Sequence, residues 1–170
     1  STPGKLGPGI PEEHNTPYPY QFGVNPDDPT QIDLRETIAF VALCGELGIK
    51  LLNTTAGSPY YTPHLQRPAA YPPSDGYQPA YDPLIDLARQ IEVVRQLKAD
   101  LPEGMAIIAS GLSYLQEYLP HVCQALLRDN WTDCVGLGRV VLSYPDILAA
   151  AMAQGGLEKR LICRTFSDCT

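Results

Sequence analysis

The chain has no excess of positive charge: 12 Lys and Arg stand against 19 Asp and Glu, a formal net charge of −7. Nucleic-acid binding starts with phosphate neutralisation, so nucleic acid is excluded as a general partner. No apolar run approaches the roughly 20 residues of a membrane span, and no secretory signal opens the chain, so no membrane partner is expected. No G-x-G-x-x-G stretch opens a helix, which removes the usual dinucleotide fingerprint. The five cysteines are odd in number and lack tight spacing; they fit a reduced, cytoplasmic setting better than a disulfide scaffold. Cys44, Cys123 and Cys134 fall in expected helices or a strand and read as small buried hydrophobes.

What remains is an ordinary globular composition on one domain of 170 residues. That is short of the roughly 250 residues of a complete (β/α)8 barrel. The chain begins at Ser1 without a methionine and stops at Cys169-Thr170, so a fragment is expected. Residues 1–31 and 58–83 are long loops rich in Pro and Tyr. Pro17-Tyr18-Pro19-Tyr20 reads either as a proline-helix ligand or as a loop packing its tyrosines over a barrel top.

Between the loops the chain repeats helix, strand, loop three times. Asp33 and Glu36 form a capping-box pattern, followed by the apolar face Leu34, Ile38, Val41 and Leu47, with Gly48 as the stop. Lys50 to Thr55 reads as a strand. Asp82-Pro83 opens a second helix whose stripe is Leu84, Leu87, Ile91, Val94 and Leu97, with Arg89, Glu92, Arg95 and Lys98 on a solvated face. A strand follows at 105–109. Ser113-x-x-Gln116 is a further capping-box pattern, but Pro120 predicts a short turn and a helix starting near it, with Val122, Leu126 and Leu127 inward. A third strand is expected at 134–137 and a last helix from Ile147 to Ala153, closed by Gly155-Gly156. This alternation predicts an α/β fold of parallel strands with helical crossovers, in which ligands bind at the carboxyl ends of the strands.

Those ends carry the chemistry. The strand at 105–109 runs into Ser110-Gly111, and the one at 134–137 into Gly138-Arg139. Gly138 lets the backbone turn and approach a ligand, and Arg139 offers a planar fork of donors that suits phosphate. Two successive strands ending in glycine, with an arginine after the second, match the phosphate site after strands 7 and 8 of a barrel. The bland alternative is a surface turn. In the second loop, Tyr60, Tyr61 and His64 suit a planar ligand and a proton or hydrogen-bond donor, or belong to an ordered lid with His64 on the surface. An aldolase or isomerase using the same anchor is a weaker reading, because Lys50 begins a strand and Lys98 sits on a helix face.

Leu52-Asn53-Thr54-Thr55-Ala56-Gly57-Ser58-Pro59-Tyr60-Tyr61, Pro72-Pro73-Ser74-Asp75-Gly76-Tyr77, Ser113-Tyr114-Leu115-Gln116, Val135-Gly136-Leu137-Gly138-Arg139 and Cys163-Arg164-Thr165-Phe166-Ser167-Asp168-Cys169 together resemble the NADH:flavin oxidoreductase, or old yellow enzyme, family. The likeness is greatest to members related to the 2,4-dienoyl-CoA reductases. It spans nearly the whole chain but only the C-terminal half of the family's TIM barrel. The resemblance implies that the strands are the sixth, seventh and eighth, and that Ser110, Gly111, Gly138 and Arg139 hold the phosphate of FMN. It places Tyr60, Tyr61 and His64 near flavin and substrate. The implied reaction passes hydride from NADH or NADPH through FMN to an activated alkene, an α,β-unsaturated carbonyl. The donors for the substrate carbonyl come largely from the barrel's first half in this family. The alternative is therefore a catalytically incomplete piece that acts with a partner, either the missing half or a further copy. Relatives carry a four-cysteine iron–sulfur cluster. Here Cys163 and Cys169 supply two thiolates, too few for such a site, and no metal is expected.

Overall fold

A computed structural model describes residues 22–28, 31–57, 63–69 and 81–165. Its elements run α1 (Arg35–Glu46), β1 (Leu51–Thr54), α2 (Pro63–Gln66), α3 (Pro83–Ala99), β2 (Ala106–Ala109), a 3-10 segment (Ser113–Tyr118), α4 (Leu119–Arg128), β3 (Cys134–Val135), α5 (Val140–Ser143) and α6 (Ile147–Gln154). The three strands form one parallel sheet in chain order, as the alternation of helix and strand predicts. Leu51 to Thr54 align with Ala106 to Ala109, and Ile108 and Ala109 align with Cys134 and Val135.

The helix ends explain where the strands begin. Gly48, at φ +80°, ends α1 with Gly48 N–H on the Gly45 carbonyl and Ile49 N–H on the Cys44 carbonyl, both 3.0 Å. Asn130 does the same after α4 at φ 56°: its N–H and that of Trp131 return to the Leu127 and Leu126 carbonyls. Asp82 caps α3 by accepting from Leu84 N–H at 2.8 Å, with Pro83 in the first turn. Pro120 lies in the first turn of α4, after a 3-10 segment broken at Gln116 (φ 50°), the kink that the proline required.

Several expectations are corrected. Neither capping box forms. The Asp33 carboxylate accepts from Arg35 N–H and pairs with the Arg35 guanidinium, so Leu34 becomes the cap residue, and Ser113 makes no side-chain cap. Leu47, Leu84 and Leu127 are exposed, whereas Cys44 joins the core as expected. The 58–83 loop contains α2, and α3 begins at Pro83. Lys98 is not merely solvated; it reaches Asp133 at 2.7 Å.

Alternation along the strands separates two faces. One carries Leu52, Thr54, Ile107, Ala109 and Val135. Ile107 and Ala109 are fully buried there, and the core gathers Leu87, Val94, Leu97, Leu112, Leu126 and Val140. The opposite face carries Leu51, Asn53, Ala106, Ile108 and Cys134. Within the described residues it is largely uncovered: Leu51 is 58% exposed, and Cys134 is exposed rather than buried as expected. No helix among the described residues is long and apolar enough to cross a membrane.

Candidate functional site

Each strand hands its backbone to the next at the carboxyl end. Ser110 N–H reaches the Thr54 carbonyl at 3.2 Å, and Gly136 N–H reaches the Ala109 carbonyl at 2.8 Å. Ser110 Oγ donates to Asn53 Oδ1 at 2.6 Å, tying the first two strand ends together on the uncovered face. Gly136 makes room for that contact, since a Cβ there would overlap Ser110 Oγ and lie 3.2 Å from Ile108 Cγ2. The bare Cα of Gly136 thus serves the Ser110 side chain across the sheet. Gly138 has open space around it and no left-handed φ; the backbone does turn there, its carbonyl accepting from Val141 N–H at 3.2 Å, but the turn does not itself demand a glycine.

Gly111 is required twice over. Its φ of +83° disfavours any side chain, and a Cβ would sit 2.7 Å from Gln90 Oε1 and 2.9 Å from the Gln66 carbonyl oxygen. Gln90, on α3, is almost completely buried, and its Nε2 donates to the Leu65 carbonyl of α2. Gln90 therefore clasps α2 against the turn that follows β2.

That clasp shapes a cavity of about 60 Å3. Its walls are Gln66 at the end of α2 with Arg67 and Pro68 after it, Gly111, Ser113 and Tyr114 after β2, Arg139 after β3, and Cys163 and Thr165. It brings together two of the anticipated anchors, Gly111 and Arg139; Ser110 and Gly138 are not among its walls. Two arginines, Arg67 and Arg139, face it, and none of the described residues that line it is a carboxylate. No carboxylate among the described residues pairs with Arg139. Thr165 N–H approaches Cys163 Sγ at 3.4 Å, which orients that thiol at the wall. Tyr60, Tyr61 and Cys169 lie outside the described residues, as do Pro17 to Tyr20; the backbone of His64 belongs to α2.

At the opposite end of the sheet, Asp133 is structural. Its carboxylate takes both Lys98 Nζ, at 2.7 Å, and Ile107 N–H, at 2.9 Å. The Lys98 ammonium holds it below the usual carboxylate range, with Ile107 N–H adding to the effect against burial. Beside it Thr132, fully buried, accepts from Ala109 N–H at 3.2 Å and has the Ile107 and Cys134 carbonyls within 2.9 and 2.8 Å of its hydroxyl. Burial pushes the Cys123 thiol up to about 11, so it is an inert packing group. Among the described residues, no three His, Cys, Asp or Glu side chains converge on a metal position.

Asp86 lies one turn before Gln90 and is fully buried, with Arg89 Nη1 at 3.1 Å from Oδ1. Burial raises its carboxyl above the ordinary range, outweighing the attraction of Arg89. A folded-state value above the unfolded one means that the native state binds the extra proton, so stability falls as pH rises from the unfolded value through the folded one. Asp86→Asn is expected to leave stability unchanged near pH 3 and to raise the thermal midpoint relative to the parent at pH 7. Equal midpoints at both pH values would contradict the burial argument.

No protein-family model, curated protein or solved structure matches the chain.

Proposed function

We propose that this chain is the phosphate-holding part of a (β/α)8-barrel flavoenzyme of the ene-reductase type. The observation that carries the reading is the single cavity shared by Gly111 and Arg139, which come from successive parallel strands. Its donor set fits the tail of FMN. The Arg139 fork and the Ser113 hydroxyl offer hydrogen bonds to an anion, and Gly111 keeps the wall free of a side chain. The cavity is on the scale of a terminal phosphate, so the ribityl chain and rings would extend beyond it. When bound, FMN supplies hydride transfer from NADH or NADPH to an alkene conjugated to a carbonyl. In this reading the chain grips the anionic end and fixes the cofactor's position, while Tyr60, Tyr61 and His64 remain the candidates for the substrate side. A cytoplasmic setting goes with this reading. Adding FMN to the intact chain should give a yellow complex that survives gel filtration; a colourless protein fraction would remove the assignment.

The uncovered sheet face favours a second, compatible reading, in which the chain is catalytically incomplete by itself. Parallel sheets are normally covered on both faces, and a barrel interior supplies the second cover. Leu142 is 73% and Met152 88% exposed in the helices beyond β3, so apolar surface extends past that edge too. On this reading the chain self-associates in sedimentation and does not oxidise NADH with an α,β-unsaturated ketone alone. A monomer that turns over both would rule it out.

A further inference from the structure

We infer that Asn53, positioned by Ser110, binds the hydroxyls of the polyol chain that links the phosphate of the ligand to its rings. The inference rests on the flavin reading of the cavity and extends it from the anionic end to the next part of the molecule, over the opposite face of the sheet.

Gly111 and Ser110 are neighbours in sequence, yet they look to opposite sides of the sheet. A Cβ on Gly111 would point at Gln90 of α3 and at the Gln66 carbonyl, on the side that the helices cover. Ser110 instead turns to Asn53 and Gly136, on the uncovered side. The end of β2 therefore separates the phosphate cavity from the uncovered face by a single residue. A ligand held by its anionic end at Gly111 and Arg139 that crosses this ridge arrives at the Ser110–Asn53 pair. Neighbouring strands lie about 4.8 Å apart, so the pair is within reach of the first few atoms beyond the phosphate. In FMN those atoms are the carbons of a chain that bears hydroxyls.

The pair is suited to hydroxyls. Its surroundings on this face are Leu51, Ala106 and Ile108, and Asn53 stands among them as an exposed carboxamide. Asn53 Oδ1 accepts from Ser110 Oγ at 2.6 Å, which fixes the amide plane and leaves both Nδ2 donors without a partner among the described residues. Parallel sheets are normally covered on both faces, and a carboxamide is costly to cover unless its donors are met. Gly136 keeps the side of the pair toward β3 open, since a Cβ there would overlap Ser110 Oγ. An alcohol both donates and accepts, so it can take a hydrogen bond from Nδ2 and give its own to the Ser110 oxygen.

Titrations of the intact chain test this with ligands that differ by one part. Asn53→Ala should weaken FMN and riboflavin by the same factor, about three- to ten-fold, because both carry the chain. Inorganic phosphate, which has no chain, and lumiflavin, which has the rings without the chain, should bind parent and variant alike. Ser110→Ala should give a smaller loss with the same selectivity, a pattern that a merely structural role would not produce. In nuclear magnetic resonance spectra the Asn53 side-chain amide should shift when riboflavin is added and stay in place when phosphate is added. Parental affinity of Asn53→Ala for FMN and riboflavin would overturn the role of Asn53 and leave the phosphate site standing. Equal weakening of lumiflavin would overturn the polyol assignment in favour of a ring contact, and weakened phosphate would show a structural role only. A parent chain that binds neither FMN nor riboflavin would overturn this inference together with the flavin reading.

Discussion

Gly111→Ala is expected to destabilise the chain by roughly 2–5 kcal/mol and to abolish anion binding. Two separate costs add at this position. A left-handed backbone disfavours an alanine by about 1–2 kcal/mol. The new methyl would also lie 2.9 Å from the Gln66 carbonyl and 2.7 Å from Gln90 Oε1, and overpacking of this kind costs about 1–3 kcal/mol. The flexible end of a surface side chain could move aside. A backbone carbonyl and a buried amide held by Leu65 cannot move without unseating α2. The cavity wall formed by residues 66–68 would then retreat from Arg139, so the loss of binding should exceed the loss of stability. Urea unfolding gives the first quantity as a lower midpoint at constant slope, and titration with inorganic phosphate gives the second. A Gly111→Ala chain with the parental midpoint would show that the turn does not have the conformation described.

Arg139→Ala should behave in the opposite way. Arg139 is exposed and has no carboxylate partner among the described residues. Its removal should leave the thermal midpoint within about 1 °C of the parent, since surface substitutions away from packed features change stability little. FMN affinity should fall about a hundred-fold, the effect of losing a forked, charge-assisted contact to phosphate. Riboflavin, which lacks the phosphate, should bind both chains alike. Unchanged FMN affinity would remove Arg139 from the site.

Local chemistry made much of the architecture legible. Asp82-Pro83, Gly48 and Gly155 end or begin helices by capping and backbone rules that act within a few residues. The strands at Leu51–Thr54 and Ala106–Ala109 follow from short apolar runs behind those stops, and the helices between them require parallel order. The misses depend on contacts distant in sequence. The buried face of α3 is turned toward Asp86 and Gln90, and Leu84 faces outward. An apolar stripe cannot register this, because two polar residues are accepted inside on account of Arg89 and of α2, 25 residues from Gln90. Cys134 reads as buried only if the sheet is covered on both sides. Arg67 carries no local signature at all, and its place in the cavity is decided by Gln90 and Gly111. Gly111 and Arg139 were visible because strand ends concentrate ligand contacts. Gly136 was visible only as part of a motif, and its need for a bare Cα is set by Ser110 across the sheet.

The central claim is that the cavity between the second and third strand ends holds a phosphate belonging to a flavin. Parallel titrations of the intact chain with FMN and with riboflavin, followed by flavin fluorescence, test it most directly. The account predicts FMN binding at least about a hundred-fold tighter than riboflavin, displaced by millimolar inorganic phosphate. Equal affinity for the two flavins, or FMN binding indifferent to phosphate, would contradict it.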